Sequence, residues 1–199
     1  MYPTPKIAIV LLAAGASKRF GAVKQLLEWE NATLIQQAIN TINGVPIAEK
    51  MVVLGAHANR IQSKTDFKGV TVLVNADWSM GLGKSIGVSV DYLLENHNNI
   101  DAILFLLADQ PLIDLDYLNT MIGTFNSDTS QIIASSYGGG KKGVPALFGR
   151  NYFDELSQLN SDQGAKSIIK KHQKHVEVLD AEHLVFDIDT KEDYAKLRR

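Results

Sequence analysis

The sequence predicts an α/β fold built around a mostly parallel sheet. Five apolar runs of strand length alternate with segments of helical periodicity along most of the chain. This alternation is typical of right-handed βαβ units, in which helices cover both faces of the sheet. The chain has 199 residues and is 45% apolar, enough to form one sizeable core. We therefore expect residues 1–199 to form a single Rossmann-like, three-layer αβα domain.

The predicted elements follow one another in a regular order as far as residue 136. Strands are expected at residues 7–12, 50–54, 70–74, 102–107 and 131–135, and helices at residues 34–42, 59–65, 85–94 and 115–125. The pattern then changes. Residues 138–143 are expected to form a flexible loop, followed by a helix at 164–172, short strands at 176–179 and 184–186, and a helix at 191–197. We interpret residues 137–199 as an extension of the same domain.

Composition excludes several kinds of protein. A net charge of -2 argues against a general binder of nucleic acids or membrane surfaces, since such proteins usually carry a basic excess. The absence of cysteine excludes disulfides and thiolate metal sites, and the five histidines form no metal-spaced cluster. No apolar run reaches the roughly 18 residues of a membrane span, and no signal peptide precedes the first strand. We expect a cytoplasmic location.

The loop after the first predicted strand has the composition of an anion-binding site. Gly15 and Gly21 allow backbone N–H groups to approach an anion, and Lys18, Arg19 and Lys24 add positive charge. Ligands of open α/β sheets bind at this end of the strands. The glycine spacing fits neither the dinucleotide fingerprint nor the Walker A loop. We expect a nucleotide polyphosphate site in which Arg19 and Lys24 contact phosphates and Lys18 is exposed to solvent.

Carboxylates follow two further apolar segments. Asp109 follows the predicted strand 102–107 at the same sheet edge as the Gly15 loop, so it should approach Lys24 and could bind Mg²⁺. The alternative is a turn or helix cap before Pro111. Asp187 and Asp189 lie two residues apart and would face the same side of an extended segment, so either or both could complete the metal shell. Asp189 could instead begin the last helix, which leaves Asp187 slightly favoured.

Two lysine- or glycine-containing segments could contact ligands. Gly83 and Ser85 stand where a helix is predicted to begin, a position that suits an anion or a polar base edge. The alternative is a tight turn with Ser85 as the helix cap. Lys141 and Lys142 belong to the expected flexible loop, which could hold an anionic acceptor opposite the nucleotide.

These motifs together resemble the molybdenum-cofactor nucleotidyltransferase group, which has the nucleotide-diphospho-sugar transferase type of fold. The similarity is carried in order by LAAGASKRFGAVKQ at 12–25, NADW at 75–78, GLGKSI at 81–86, LADQP at 107–111, GVPALF at 143–148 and DIDT at 187–190. The resemblance implies nucleotide contacts from Leu12, Ala13, Ala14, Gly15, Lys24, Asn75, Gly83, Ser85 and Asp109. It also implies a second metal ligand from the region of Asp187 and Asp189, and catalysis by Arg19, Lys24 and Asp109.

The resemblance implies a Mg²⁺-dependent reaction that transfers a nucleoside monophosphate to a phosphorylated acceptor and releases pyrophosphate. The Ala13-Ala14-Gly15 sequence is similar to the cytidylyltransferase branch, which implies CTP, molybdopterin as the acceptor, and a molybdoenzyme or its chaperone as a client. Residues 1–136 would then form the nucleotide-binding half and residues 137–199 the acceptor side. Alternative hypotheses are a sugar phosphate or another phosphorylated alcohol as acceptor, or a nucleotide-binding protein without turnover.

Overall fold

The computed structural model describes residues 4–197 and contains nine strands and seven α-helices in that range. The strands are β1 (Ile7–Ala13), β2 (Glu28–Trp29), β3 (Ala32–Thr33), β4 (Glu49–Leu54), β5 (Thr71–Val74), β6 (Ala102–Leu107), β7 (Ile132–Tyr137), β8 (Lys141–Gly149) and β9 (Val176–Asp180). The helices are α1 (Leu34–Gly44), α2 (Ala58–Gln62), α3 (Leu82–Asn96), α4 (Leu115–Thr124), α5 (Phe153–Ser157), α6 (Lys166–Lys171) and α7 (Lys191–Leu197).

Seven of the strands form one mixed but mostly parallel sheet in the order β5-β4-β1-β6-β8-β7-β9. Strands β4 and β6 flank β1 and run parallel to it. Only β8 among the described strands of this sheet runs against its neighbours, β6 and β7. The carboxyl ends of β1, β4, β5 and β6 therefore meet at one edge, where the predicted site residues follow their strands.

Alternating side chains of β1 supply both faces of the sheet. Ile9 and Leu11 pack into a core with α1 and α4, whereas Val10 packs into a second core with α3, α5 and α6. Successive side chains of a strand point to opposite faces, and both faces of β1 are covered by helices. Its sequence is therefore a continuous apolar run. The predicted single domain with three αβα layers is confirmed.

The predicted strands and helices before residue 136 are found with shifted ends, but two predictions after it are wrong. Residues 138–140 make a turn, and Lys141–Gly149 form β8 instead of extending a flexible loop. Pro145 argues against a central strand because it lacks an N–H donor. The sheet accommodates it by a register shift, in which Ala134 pairs with Ala146 but Ser135 pairs with Gly143.

The strand predicted at 184–186 is also absent from the structure. Leu184 and Val185 instead donate their N–H groups to the carbonyl oxygen of Ala181, and their half-buried side chains pack against the core that contains α1 and α4. Their apolar character therefore reflects burial of a turn. No helix in the described range 4–197 is long and apolar enough to cross a membrane.

Candidate active site

A cleft of about 670 Å³ opens at the carboxyl ends of β1 and β6. One wall is the loop that follows β1, together with Lys24 and Gln25. Trp78 lies close to Ala14 of this loop, and the start of α3, Asp162 and Lys166 form the far wall. The floor includes residues 107–109, and Asp187 and Asp189 complete the lining. The predicted convergence of the first loop with the carboxylates of later segments is therefore found.

The ammonium group of Lys24 lies between two carboxylates. Its Nζ donates to Asp109 Oδ2 at 2.6 Å and to Asp189 Oδ1 at 3.1 Å. Arg19 Nη2 donates to Asp189 Oδ2 at 2.8 Å from the more exposed side of the cleft. Burial acts to lower the pKa of Lys24, but the attraction and hydrogen bonds of Asp109 and Asp189 outweigh it and raise the pKa. Lys24 is therefore a firmly charged cation.

Asp109 is not a helix cap. Helix α4 begins at Leu115 and is capped by Asp114, whose Oδ1 accepts from the N–H of Tyr117 at 2.8 Å. Asp109 Oδ1 is buried and has no hydrogen-bond partner among the described residues. Burial raises the pKa of Asp109 despite the neighbouring Lys24, and the charges of Asp187 and Asp189 raise it further. An additional cation at this carboxylate would therefore stabilise its charged form.

Asp189 is not the cap of the last helix either. Thr190 and Asp193 form a capping box at the start of α7. The N–H of Asp193 donates to Thr190 Oγ1 at 3.1 Å, and the N–H of Thr190 donates to Asp193 Oδ2 at 2.9 Å. Asp189 is free to face Lys24 and Arg19, whereas Asp187 Oδ1 accepts from Gln110 Nε2 at 2.8 Å. Both carboxylates line the cleft.

Gln25 closes the loop after β1, a role that the sequence reasoning missed. Its buried amide donates to the carbonyl oxygens of Ala13 and Gly15, both at 2.9 Å. Ser17, which has a φ of 55°, donates its hydroxyl to Gln25 Oε1 at 3.4 Å. These bonds tie the two ends of the loop together. The available signal was the position of Gln25 beside Lys24 in the motif.

Leu12, Ala13, Ala14 and Gly15 all line the cleft, and Lys18 is exposed there as expected. Ser85 also lines it, but as a buried residue of the first turns of α3 and not as the cap, which is Gly81. Asn75 lies behind Ser85, donates to its Oγ at 3.0 Å and accepts from the N–H of Asp77.

The residues of later segments that line the cleft differ in part from those predicted. Gly83 packs against Ser161 and, like Asn75, does not line the cleft, whereas its neighbours Gly81, Leu82 and Ser85 do. Lys141 and Lys142 begin β8 and do not line the cleft, contrary to the expectation for a loop facing the nucleotide. Trp78, Asp162 and Lys166 do line it. The sequence offered no motif for the last two.

Comparisons with known proteins agree with this geometry. The profile of the MobA-like NTP transferase domain matches residues 9–176. Nicotine blue oxidoreductase of Paenarthrobacter nicotinovorans is 28% identical and the alignment covers 97% of each chain. Molybdenum cofactor cytidylyltransferase of Escherichia coli is 24% identical over 94% of this chain and 93% of that protein. The crystal structure of Rv0371c from Mycobacterium tuberculosis superposes with a TM-score of 0.86 at 28% identity and 98% coverage of both chains.

A second structure of Rv0371c, in complex with manganese, has a TM-score of 0.81, 27% identity and 98% coverage of both chains. The names of these relatives differ and do not identify one acceptor. The profile match extends over most of the described sheet and includes the loop after β1 and Asp109. The chain therefore belongs to the MobA-like NTP transferase domain family and is a nucleotidyltransferase.

Proposed function

We propose that this enzyme transfers CMP from CTP to the phosphate of molybdopterin in the molybdenum cofactor and releases pyrophosphate. The observation that carries the proposal is the position of Lys24, held between Asp109 and Asp189 at the end of the loop after β1. This arrangement gathers a largely buried cation, two carboxylates and a glycine-containing loop in one cleft. Those are the groups that a nucleoside triphosphate needs for positioning and for charge neutralisation.

The reaction is a substitution at the α-phosphorus. An oxygen of the acceptor phosphate forms the new P–O bond, and the bond from the α-phosphorus to the oxygen shared with the β-phosphate breaks. Pyrophosphate leaves with that electron pair, and no covalent enzyme intermediate is needed. Lys24, Arg19 and the N–H groups of the loop after β1 stabilise the negative charge of the phosphates. Arg19 and Lys24 would exchange contacts with Asp189 for contacts with phosphate oxygens.

The residues present fit a hard divalent cation. Among residues 4–197, no group of three or more His, Cys, Asp or Glu side chains has an arrangement that could hold a metal ion. Mg²⁺, however, is usually bound by only one or two carboxylates together with phosphate oxygens and water. The buried, unpartnered Oδ1 of Asp109 is suited to this role. Asp109, with Asp189 or Asp187, would hold Mg²⁺, which when bound polarises the α-phosphoryl group and organises the triphosphate.

The overall charge of the cleft supports the same conclusion. Its described lining contains four cationic side chains and four carboxylates: Lys18, Arg19, Lys24 and Lys166, and Asp109, Asp162, Asp187 and Asp189. These charges cancel, although the proposed reaction brings a triphosphate and a second phosphate together. A divalent cation would supply the missing positive charge. The manganese complex of Rv0371c, a similar structure, agrees with this requirement.

The choice of CTP rests on the Ala13-Ala14-Gly15 segment, which lines the cleft, and on similarity to the Escherichia coli molybdenum cofactor cytidylyltransferase. That relative also supports molybdopterin as the acceptor. We place the reaction in the cytoplasm, with a molybdoenzyme or its chaperone receiving the product. A sugar phosphate in place of molybdopterin would use the same chemistry.

Pyrophosphate release tests the proposal directly. The enzyme is incubated with Mg²⁺, one of CTP, GTP, ATP or UTP, and either molybdenum cofactor or a panel of sugar phosphates. We expect release with CTP and molybdenum cofactor. Faster release with a sugar phosphate would replace the acceptor, and faster release with GTP would replace the nucleotide. Tight CTP binding without release for every acceptor would indicate a binding protein without turnover.

A further inference from the structure

Three glycines, the cap Gly81 and Gly83 and Gly87 on one face of α3, allow the segment 157–164 to lie directly against this helix. A Cβ atom on Gly83 would lie 2.7 Å from the carbonyl oxygen of Ser161, and one on Gly87 would lie 2.6 Å from that of Ser157. A Cβ on Gly81 would collide with the carboxylate of Asp162. Side-chain carbons do not approach other atoms this closely. We call this contact between Gly81, Gly83, Gly87 and residues 157–164 the glycine seam.

Further contacts fix the segment in place. The N–H of Gly83 donates to the carbonyl oxygen of Ser161 at 2.8 Å, so the segment satisfies one N–H of the first turn of α3. Gly164 packs against Leu82, where a Cβ would lie 2.9 Å from its Cδ2. The backbone on both sides of Asp162 is therefore held against α3. The glycine seam accounts for the position of Asp162 and Lys166 on the far wall of the cleft.

Asp162 and Lys166 bring unpaired charges to that wall. Neither forms an ion pair or a side-chain hydrogen bond within the part of the chain that the structure describes. Most of the other charged side chains of the cleft already have partners. Lys24 and Arg19 bind Asp189, and Asp187 accepts a hydrogen bond from Gln110. The far wall thus offers a carboxylate acceptor and an ammonium donor, four residues apart, to whatever occupies the cleft.

We propose that Asp162 and Lys166 recognise the edge of a 2-amino-4-oxo pyrimidine ring in the acceptor, such as the ring of a pterin. This edge presents two adjacent N–H donors, from the ring nitrogen and the amino group, and then a carbonyl oxygen. The two oxygens of Asp162 accept from the N–H pair, and Lys166 donates to the carbonyl. Cytosine lacks two adjacent N–H donors of this kind, so the pair selects the acceptor and not CTP. This inference rests on the proposed function for the presence of a second substrate.

Pterin and lumazine form a matched pair of probes, because lumazine carries an oxo group in place of the 2-amino group. Fluorescence titration of the whole enzyme, in the presence of CTP and Mg²⁺, measures the affinity for each. We expect pterin to bind about tenfold more tightly, the selectivity that one bidentate contact typically gives. Asp162→Asn keeps the side-chain volume but removes one acceptor oxygen, so this preference should disappear. Lys166→Met should weaken binding of both probes, because each presents a carbonyl oxygen to the lost ammonium.

Two exposed residues outside the cleft provide controls. Asp91→Asn on α3 and Lys170→Met on α6 make the same kinds of change and should leave both affinities unchanged. Equal binding of pterin and lumazine by the parent enzyme, or no pterin binding at millimolar concentration, would overturn the proposal. So would retention of the preference in Asp162→Asn, with folding verified by its unfolding midpoint.

Guanine has the same ring edge, so a GTP titration distinguishes the two sources of this chemistry. A loss of GTP affinity in Asp162→Asn, with pterin binding unchanged, would assign the pair to a nucleotide base and overturn the acceptor proposal. Pyrophosphate release from CTP by the parent enzyme is scored separately. If release occurs while the pterin tests fail, only the assignment of Asp162 and Lys166 is wrong, and the proposed function stands.

Discussion

At the scale of single residues, Lys24 organises the charged end of the cleft. It binds Asp109 and Asp189, which come from distant parts of the chain, and offsets part of the repulsion between these carboxylates. Asp109 still has an unpartnered buried oxygen after this contact. The two residues therefore differ in what they require. Lys24 already binds two carboxylates, whereas Asp109 retains the capacity to bind another cation.

Asp109→Asn separates a charged role of this residue from a merely polar one. The amide keeps an oxygen for Lys24 but loses the negative charge, so we expect turnover to fall by about 10²–10³. The free energy of unfolding should change by about 1 kcal/mol or less, because the buried carboxylate already carries a desolvation cost that raises its pKa. Steady-state kinetics at limiting Mg²⁺ and urea denaturation measure the two effects.

Asp114→Asn is the matched control for that variant. Asp114 caps α4 through the N–H of Tyr117, and asparagine caps helices about as well as aspartate. Activity and stability should therefore both be preserved. Full activity of Asp109→Asn at limiting Mg²⁺ would remove Asp109 from the metal site that we propose.

At the scale of elements, the glycine seam determines how α3 meets the segment that follows α5. Gly87 lies inside α3, where alanine would otherwise favour the helix. A Cβ there meets a backbone oxygen, which cannot rotate away as a side chain can. The close approach thus has a cost in helix propensity, and it holds Asp162 and Lys166 on the far wall of the cleft.

Alanine substitutions at two helical glycines should have opposite effects on stability and therefore test the glycine seam. Gly87→Ala should lower the free energy of unfolding by about 1–2 kcal/mol, since overpacking against Ser157 exceeds the gain in helix propensity. Gly123→Ala on α4 should raise it by about 0.5–1 kcal/mol, because a Cβ at this exposed position has no neighbour within 4 Å. Urea denaturation compares both variants with the parent. If Gly87→Ala stabilised the protein instead, residues 157–164 would not be packed closely against α3.

A second contact between elements should make stability depend on pH. Glu155 on α5 accepts from Lys171 Nζ at 3.0 Å and from His172 Nε2 at 2.9 Å. Burial acts to raise the pKa of Glu155, but the hydrogen bonds from Lys171 and His172 outweigh it and lower the pKa below its usual 4.5. The folded state therefore binds the proton less well than the unfolded chain. The stabilisation is complete above pH 4.5 and is lost as the pH falls through the folded pKa.

Glu155→Gln should consequently destabilise the protein at pH 7 by at most about 1 kcal/mol, since the carboxylate is partly exposed. The difference from the parent should shrink as the pH approaches 3. Urea midpoints measured from pH 3 to 7 test this, with Glu95→Gln on α3 as a control that has no ion pair in the described structure. A difference that is constant over this range would contradict the role of ionised Glu155.

The elements also show which parts of the site a sequence can predict. The loop after β1 and Asp109 were predictable because each directly follows a buried strand, and parallel strands end at the same edge. β8 was missed because Pro145 is tolerated only through a shift in strand register, which local sequence does not reveal. Asp162 and Lys166 were missed because their position depends on packing against α3, nearly eighty residues earlier in the chain.

At the scale of the whole molecule, the balance of charge links substrate binding to metal binding. The protein has a net charge of -2, and the charges of the described cleft lining cancel. A free triphosphate therefore meets no net attraction apart from the local group of Lys18, Arg19 and Lys24, and two of these already bind carboxylates. Binding of CTP should consequently depend on a divalent cation.

Thermal unfolding with and without Mg²⁺ tests this dependence. CTP with Mg²⁺ at about 100 times its dissociation constant should stabilise the native state by about 2.7 kcal/mol, which corresponds to a rise in Tm of roughly 5–10 °C for a domain of this size. CTP with EDTA should shift Tm by roughly 1 °C or less, and Mn²⁺ should replace Mg²⁺ because carboxylate and phosphate oxygens suit both ions. Asp109→Asn should lose the shift, whereas Asp114→Asn should keep it. An equal shift with CTP and EDTA would mean that the lysines and arginine of the cleft bind the triphosphate without a metal.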